Sequence, residues 1–358
     1  MAQLELIQTM NAFVLHAVGE MRYQTVSRPN PGQGEVLVRV AYCGICGSDI
    51  PRVFVKGTYH FPTIIGHEFS GVVADCGPGV DDFKPGDRVA VFPLLWCGHC
   101  PACERGQYVQ CLNYDYLGSR RDGALAEYVV APRPNLVRVP DKVSLAEAAM
   151  TEPAAVALHA LRRADTTLLG RSVAIFGAGP IGLMAAQWAR AMGATSIFLF
   201  DLVPDKLKLA RQLGFPLVFN SCELEPDRAI RSVTGRAGVD LAVEAAGVPQ
   251  TFRQALASVE RGGKMIVLGN PSTDVTLPAA LISQLMRREI SLLGTWNSDY
   301  SAVGNDDDWR TVLAALADGT LAVTPLITHR FKLEQALGAL LMMKEQREFF
   351  VKVLIAVN

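Results

Sequence analysis

No stretch of the sequence approaches the roughly eighteen consecutive apolar residues of a membrane-crossing helix. A formal net charge of −1 leaves no basic stripe for nucleic acid. Internal repeats and low-complexity tracts are absent too. The first nine residues, MAQLELIQT, carry neither a basic start nor a cleavage site, and no signal peptide is expected. A second plausible start follows at Met10, where MNAFVLHAVGEMRY reads as a first strand; the residues before it read as an extended or alternative start without functional weight. With no export signal, eight cysteines point to a reducing, cytoplasmic setting in which thiolates serve metal rather than disulfides.

What is present suits a globular protein. At 358 residues the chain is long for one core, and two domains are expected. Thirty-one glycines and 20 prolines imply many turns. Residues 10–150 are dense in glycine, proline and short β-branched runs (GEVLVRVAYCG, SGVVADCG, GDRVAVFP), which predicts an irregular β-rich domain. From about 156 to 299, short apolar runs alternate with helical stretches, which predicts a doubly wound parallel sheet in an α/β fold. Two amphipathic segments and a closing strand, FFVKVLIAV, follow.

Cys97, Cys100, Cys103 and Cys111 fall in a C-x2-C-x2-C-x7-C array with Gly98, Pro101 and Gly106 at its turns. Four thiolates on a short loop match closed, tetrahedral structural zinc. An iron–sulfur cluster uses a similar ligand set, but nothing else in the sequence suggests electron transfer. A sparser set lies elsewhere: Cys46 in YCGICGSD, His67 and Glu68 in IIGHEFSG, and Glu152 in TEPAAVALHA. One thiolate, one imidazole and one carboxylate suffice to bind zinc and leave a position for substrate. Glu68 stands as an alternative ligand or as a partner to the ligands.

The strongest single signal is RSVAIFGAGPIGLMAAQWARAMGATSIFLFD. An apolar strand leads into Gly177, Gly179, Pro180, Ile181 and Gly182, which open an alanine-rich helix; a second strand then ends at Asp201. This is the whole context of a dinucleotide-binding turn, with the pyrophosphate at the helix N-terminus. Asp201 would accept from the ribose hydroxyls and repel a 2′-phosphate, favouring NAD over NADP.

Taken in order, GEVLVRVAYCGICGSD, IIGHEFSGVV, GDRVAV, the four-cysteine loop, GALAEYVV, EP and GAGPIG make the chain resemble the zinc-dependent medium-chain dehydrogenases, in their polyol dehydrogenase group, over nearly its whole length. That resemblance implies a GroES-like catalytic domain over residues 1–155, completed by 300–358, and a Rossmann domain over 156–299. It implies NAD and two zinc ions per chain: a catalytic ion on Cys46, His67 and Glu152 with Glu68 beside it, and a structural ion on the four loop cysteines. Ser48 would receive the substrate proton. Many relatives place a histidine three residues beyond that serine to pass the proton on, and here the position is Pro51. Cys43, Cys76 and Cys222 match no ligand position. The implied substrate is a small polyol or polyol phosphate, and the implied assembly a homodimer or homotetramer. L-Threonine, 2,3-butanediol and unphosphorylated polyols are the alternatives. A phosphate dianion calls for arginine, and Arg52, Arg120 and Arg121 are the candidates, with Trp296 and Asn297 as further candidate substrate residues. A protein that binds NAD and zinc without turnover would be expected to lack one of Cys46, His67 and Glu152, and all three are present.

Overall fold

The computed structural model describes residues 8–164 and 166–358. The N-terminal extension read from the sequence lies, over its first seven residues, outside the described residues. The chain divides into two compact units. One takes the described residues up to Glu152, then Asp299–Gly319 and Val323–Asn358; the other takes Pro153–Ser298 and Thr320–Ala322. Among the described residues, no helix is long and apolar enough to cross a membrane.

The first unit is built around strand Glu35–Ile45, whose Val36, Leu37, Val38 and Val40 are fully buried. Three strands pair with it antiparallel: Glu68–Cys76, Tyr128–Pro132 and Lys352–Ala356. Beyond them the sheet continues through Arg88–Val91 and Leu136–Arg138 on one side and Ile327–Lys332 on the other. Thus the closing strand of the chain is a central strand of this sheet. An aromatic cluster ties residues 299–319 to the same unit: Tyr300 stacks on Phe92 at 4.2 Å between ring centroids, and Trp309 meets Phe92 edge-on at 5.5 Å. The Tyr300 hydroxyl donates to the Pro134 carbonyl at 2.6 Å, so the ring's polar end is satisfied although it is buried.

The second unit holds a six-stranded parallel sheet of β1 (Ser172–Phe176), β2 (Ser196–Asp201), β3 (Val218–Asn220), β4 (Val239–Glu244), β5 (Val259–Val267) and β6 (Ser291–Gly294). Its order is β3-β2-β1-β4-β5-β6. This is the doubly wound order that reverses beside β1, where a dinucleotide crevice forms. Every residue of β1 is buried, as expected for a parallel strand covered on both faces.

Because Trp309 is 1% exposed and wedged against Phe92 and Tyr300, Trp309→Ala is expected to cost about 3–5 kcal/mol, read as a lowered thermal melting temperature.

Candidate active site and metal centres

Strand register assembles the first site. Gly44 is opposite Glu68, and Cys43 opposite Phe69, so Cys46 just past one strand meets His67 just before the other. On the far side Val353 is opposite Ile45, which brings Lys352 to the same end of the sheet. Ligand atoms of Cys46, His67 and Glu68 all lie within 4.8 Å of one another. Glu152 falls outside this group, and its Oε1 accepts from the Tyr116 hydroxyl at 3.3 Å. The carboxylate that meets the thiol and the imidazole is therefore Glu68, where the sequence pointed first to Glu152. The reason is local: Glu68 opens a strand whose register is set by Gly44, while Glu152 sits in the first turn of helix Thr151–Arg163.

Glu68 is held by an ion pair with Lys352, both buried. A side chain at Gly44 would strike both partners, so the glycine makes room for the pair. Lys352 also donates to the Ile45 carbonyl at 3.2 Å. Burial pulls the Lys352 ammonium down, but Glu68 and Cys46 outweigh it, and its pKa stands above the usual lysine range. Asp49 braces the other side. It accepts from the Cys46 backbone N–H at 2.9 Å and from Arg52 at 2.6 Å, and its Oδ1 stands 3.6 Å from His67 Nδ1. That distance is beyond hydrogen bonding, and His67 Nδ1 is buried without a hydrogen-bond partner.

Without a cation this site is short of positive charge. Burial, then Glu68 and Asp49, push the Cys46 thiol up to about 12. Burial pushes Glu152 up to about 7, with Glu68 adding to the rise and His67 and Lys352 opposing it. Burial and Glu152 hold the Tyr116 phenol well above its usual range. A divalent cation among these groups reverses each of these costs, and a sulfur, nitrogen and oxygen donor set suits zinc. Ser48 is exposed and makes no side-chain capping bond to the short helix it precedes.

The cysteine loop forms a second centre. All eight cysteines are free. Cys100 and Cys103 Sγ are 3.5 Å apart and Cys97 and Cys103 Sγ 3.9 Å, and the Cys97 backbone N–H donates to Cys111 Sγ at 3.2 Å. Four thiolates about 2.3 Å from a tetrahedral zinc stand about 3.8 Å from each other, which this spacing matches. Disulfides would need sulfurs about 2.05 Å apart. Backbone N–H groups of Leu112 and Cys103 lower the Cys100 thiol to about 6, which readies a thiolate for metal.

In the second unit, Gly177 adopts φ +103° at the end of β1, and a side chain at Gly182 would collide with the Gly177 carbonyl oxygen. Gly179, the N-cap of helix Pro180–Ala191, faces open space. Pro180 and Ile181 fill the first helical positions. Asp201 accepts from Ala178 N–H at 2.7 Å and from Leu202 and Val203 N–H at 2.7 and 2.9 Å. Lys206 Nζ lies 3.9 Å from it.

The proposed substrate residues separate. Arg52 is taken by Asp49, and Arg121 pairs with Asp115 at 2.9 Å. Arg120 stacks over tyrosine rings instead. In the second unit Trp296 is 46% exposed, while Asn297 is buried, left-handed at φ 58°, and leaves its Nδ2 without a hydrogen-bond partner. Strain of that kind concentrates at ligand sites. Sequence reasoning missed Asp49, Tyr116 and Lys352. For Lys352 a signal existed, a lone lysine inside the apolar strand FVKVLIAV.

Comparison with known proteins shows the family. Residues 32–141 match the alcohol dehydrogenase GroES-like domain and residues 180–318 the zinc-binding dehydrogenase model. The chain belongs to the zinc-dependent medium-chain dehydrogenases, in their polyol dehydrogenase group: an oxidoreductase with zinc and a nicotinamide dinucleotide as cofactors. It is 39% identical to galactitol 1-phosphate 5-dehydrogenase of Escherichia coli (strain K12) over 302 residues, 84% of this chain and 87% of that one. It is 35% identical to sorbitol dehydrogenase of Bacillus subtilis (strain 168) over 358 residues, 98% of each. The crystal structure of galactitol-1-phosphate dehydrogenase from Escherichia coli superposes with a TM-score of 0.89 at 37% identity, covering 97% of this chain and 100% of that one.

Two substitutions separate the metal centres. Cys100→Ser is expected to lower the melting temperature and remove one of about two zinc ions per chain, measured by metal analysis. Cys46→Ser is expected to abolish turnover while the melting temperature and NAD binding stay close to those of the parent, measured by calorimetry and fluorescence titration.

Proposed function

We propose that the chain oxidises a secondary alcohol of a polyol phosphate, galactitol 1-phosphate to tagatose 6-phosphate, with NAD as hydride acceptor. The observation that carries the dehydrogenase chemistry is the thiol–imidazole–carboxylate group of half-buried Cys46 and buried His67 and Glu68, beside Glu152. The similarity to galactitol 1-phosphate 5-dehydrogenase supports the substrate. Cys46, His67 and Glu68 are the residues that would hold the catalytic zinc, and Cys97, Cys100, Cys103 and Cys111 the structural one. When bound, zinc acidifies a substrate hydroxyl and the nicotinamide accepts a hydride. Ser48 takes the hydroxyl proton. Its exposure lets water carry the proton away directly, which suits Pro51 at the position where many relatives place a histidine. Tyr116 and Glu152 orient the substrate through their shared hydrogen bond. Asn297 offers its unpartnered Nδ2 to a ligand.

Gly177, Gly179, Pro180, Ile181 and Gly182 receive the pyrophosphate, and Asp201 excludes the 2′-phosphate of NADP by charge. Strand β6 lies at the edge of its sheet with Leu292 exposed, which favours sheet extension by a second copy in a homodimer or homotetramer. The eight free cysteines suit a cytoplasmic setting.

A second reading, oxidation of an unphosphorylated polyol, is favoured by the end-to-end similarity to sorbitol dehydrogenase. NADH absorbance with galactitol 1-phosphate, galactitol, sorbitol, 2,3-butanediol and L-threonine at equal concentration distinguishes them. Marked preference for the phosphate ester is expected, and equal or better turnover of a plain polyol overturns the phosphate. Asp201→Ser is expected to lower kcat/KM for NAD at least about tenfold and raise it for NADP, measured with the same assay.

A further inference from the structure

We propose that Arg120, stacked on Tyr59 and Tyr114, is the fork that receives the substrate's phosphate group; this rests on the polyol phosphate reading above. Its guanidinium carbon lies 4.0 Å from the Tyr59 ring centroid and 4.5 Å from that of Tyr114. Among the described residues, no carboxylate pairs with it and its guanidinium N–H groups make no hydrogen bond. Of the three arginines singled out in the sequence, Arg52 and Arg121 already hold Asp49 and Asp115. Arg120 alone keeps its in-plane donors open.

The stacking matters physically. A guanidinium is planar and weakly hydrated, so aromatic rings hold it while its edge stays available for two parallel bonds to a phosphate. The backbone is held as firmly. The N–H groups of Ser119, Arg120 and Arg121 all donate to the Tyr116 carbonyl, at 3.2, 2.9 and 3.1 Å. Tyr59 N–H donates to the Ser119 carbonyl at 3.4 Å, and His60 Nε2 lies 3.0 Å from the Arg120 carbonyl. One tight turn therefore carries Tyr116, whose hydroxyl reaches Glu152, and Arg120.

This placement fits the substrate. Oxidation at carbon 5 and a phosphate on carbon 1 put reaction and charge at opposite ends of the hexitol. A dianion would be repelled among Glu68, Glu152 and Asp49, so its receptor belongs on a half-buried turn outside that cluster.

The test is the ratio of kcat/KM for galactitol 1-phosphate to that for galactitol, in the zinc-loaded full chain. Arg120→Gln is expected to lower this ratio about ten- to a hundredfold, with Arg120→Lys losing less because it keeps the charge but not the fork. Tyr59→Leu, at a ring that is 69% exposed and removable without disturbing a core, is expected to lower it more modestly. Melting curves of all three variants check that they fold. A parent that prefers the phosphate ester together with an Arg120→Gln variant that keeps the full ratio overturns this inference and leaves the proposed function standing. A parent with no preference overturns the polyol phosphate reading and this inference with it.

Discussion

The buried ion pair between Lys352 and Glu68 is the constraint on which the candidate catalytic site of this protein depends. Both partners are almost wholly removed from water, and losing either would leave an uncompensated charge in the core, a cost of about 3–5 kcal/mol. The pair spans the central strand: Lys352 comes from the strand on one side of Glu35–Ile45, Glu68 from the strand on the other, and Gly44 between them has no side chain to obstruct it. A one-residue slip of either strand would turn these side chains to the opposite face and separate the charges. The pair thus pins the register that also delivers Cys46 and His67. It also joins strand Lys352–Ala356 to the candidate site.

The two metal centres differ for physical reasons that their surroundings make plain. The loop cysteines supply four like ligands from one short segment, so an ion there is fully coordinated by protein and contributes to folding. The other centre mixes donors from separate strands and leaves Glu152 and Tyr116 close by. Its pKa shifts run against the ionised forms of Cys46 and Glu152. An apo protein would carry that strain, and a cation relieves it.

A comparable economy governs the nucleotide turn. Asp201 ties the end of β2 to Ala178 within the glycine turn. Glu244, at the end of β4, accepts from Ala246 and Gly247 N–H at 2.9 Å and from the Thr251 hydroxyl at 2.7 Å. Two carboxylates at the ends of strands beside β1 therefore fix the loops where the strand order reverses. Close approach follows from glycine: Gly177 passes within 3.0 Å of the Ala246 N–H measured from where its side chain would begin.

What could be read from the sequence follows from the separation of the residues along it. The cysteine loop and Gly177–Gly182 are contiguous, so the spacing itself encodes the local geometry, and both stand out as candidate sites from the sequence alone. Alternating apolar runs announced the parallel sheet in the same local way. The candidate catalytic group could be listed from the sequence as residue types, Cys46, His67, Glu68 and Glu152, but not which of them meet. Which carboxylate meets the thiol depends on strand register, a relation between segments that no local pattern carries. Lys352 lies 284 positions from Glu68, and the value of that contact exists only once burial has removed water from both. The three arginines looked alike as sequence; ion pairs with Asp49 and Asp115 took two of them, and stacking on Tyr59 and Tyr114 left the third with open donors. Short-range stereochemistry was written in the chain, while long-range electrostatics had to wait for the tertiary fold to set distance and dielectric.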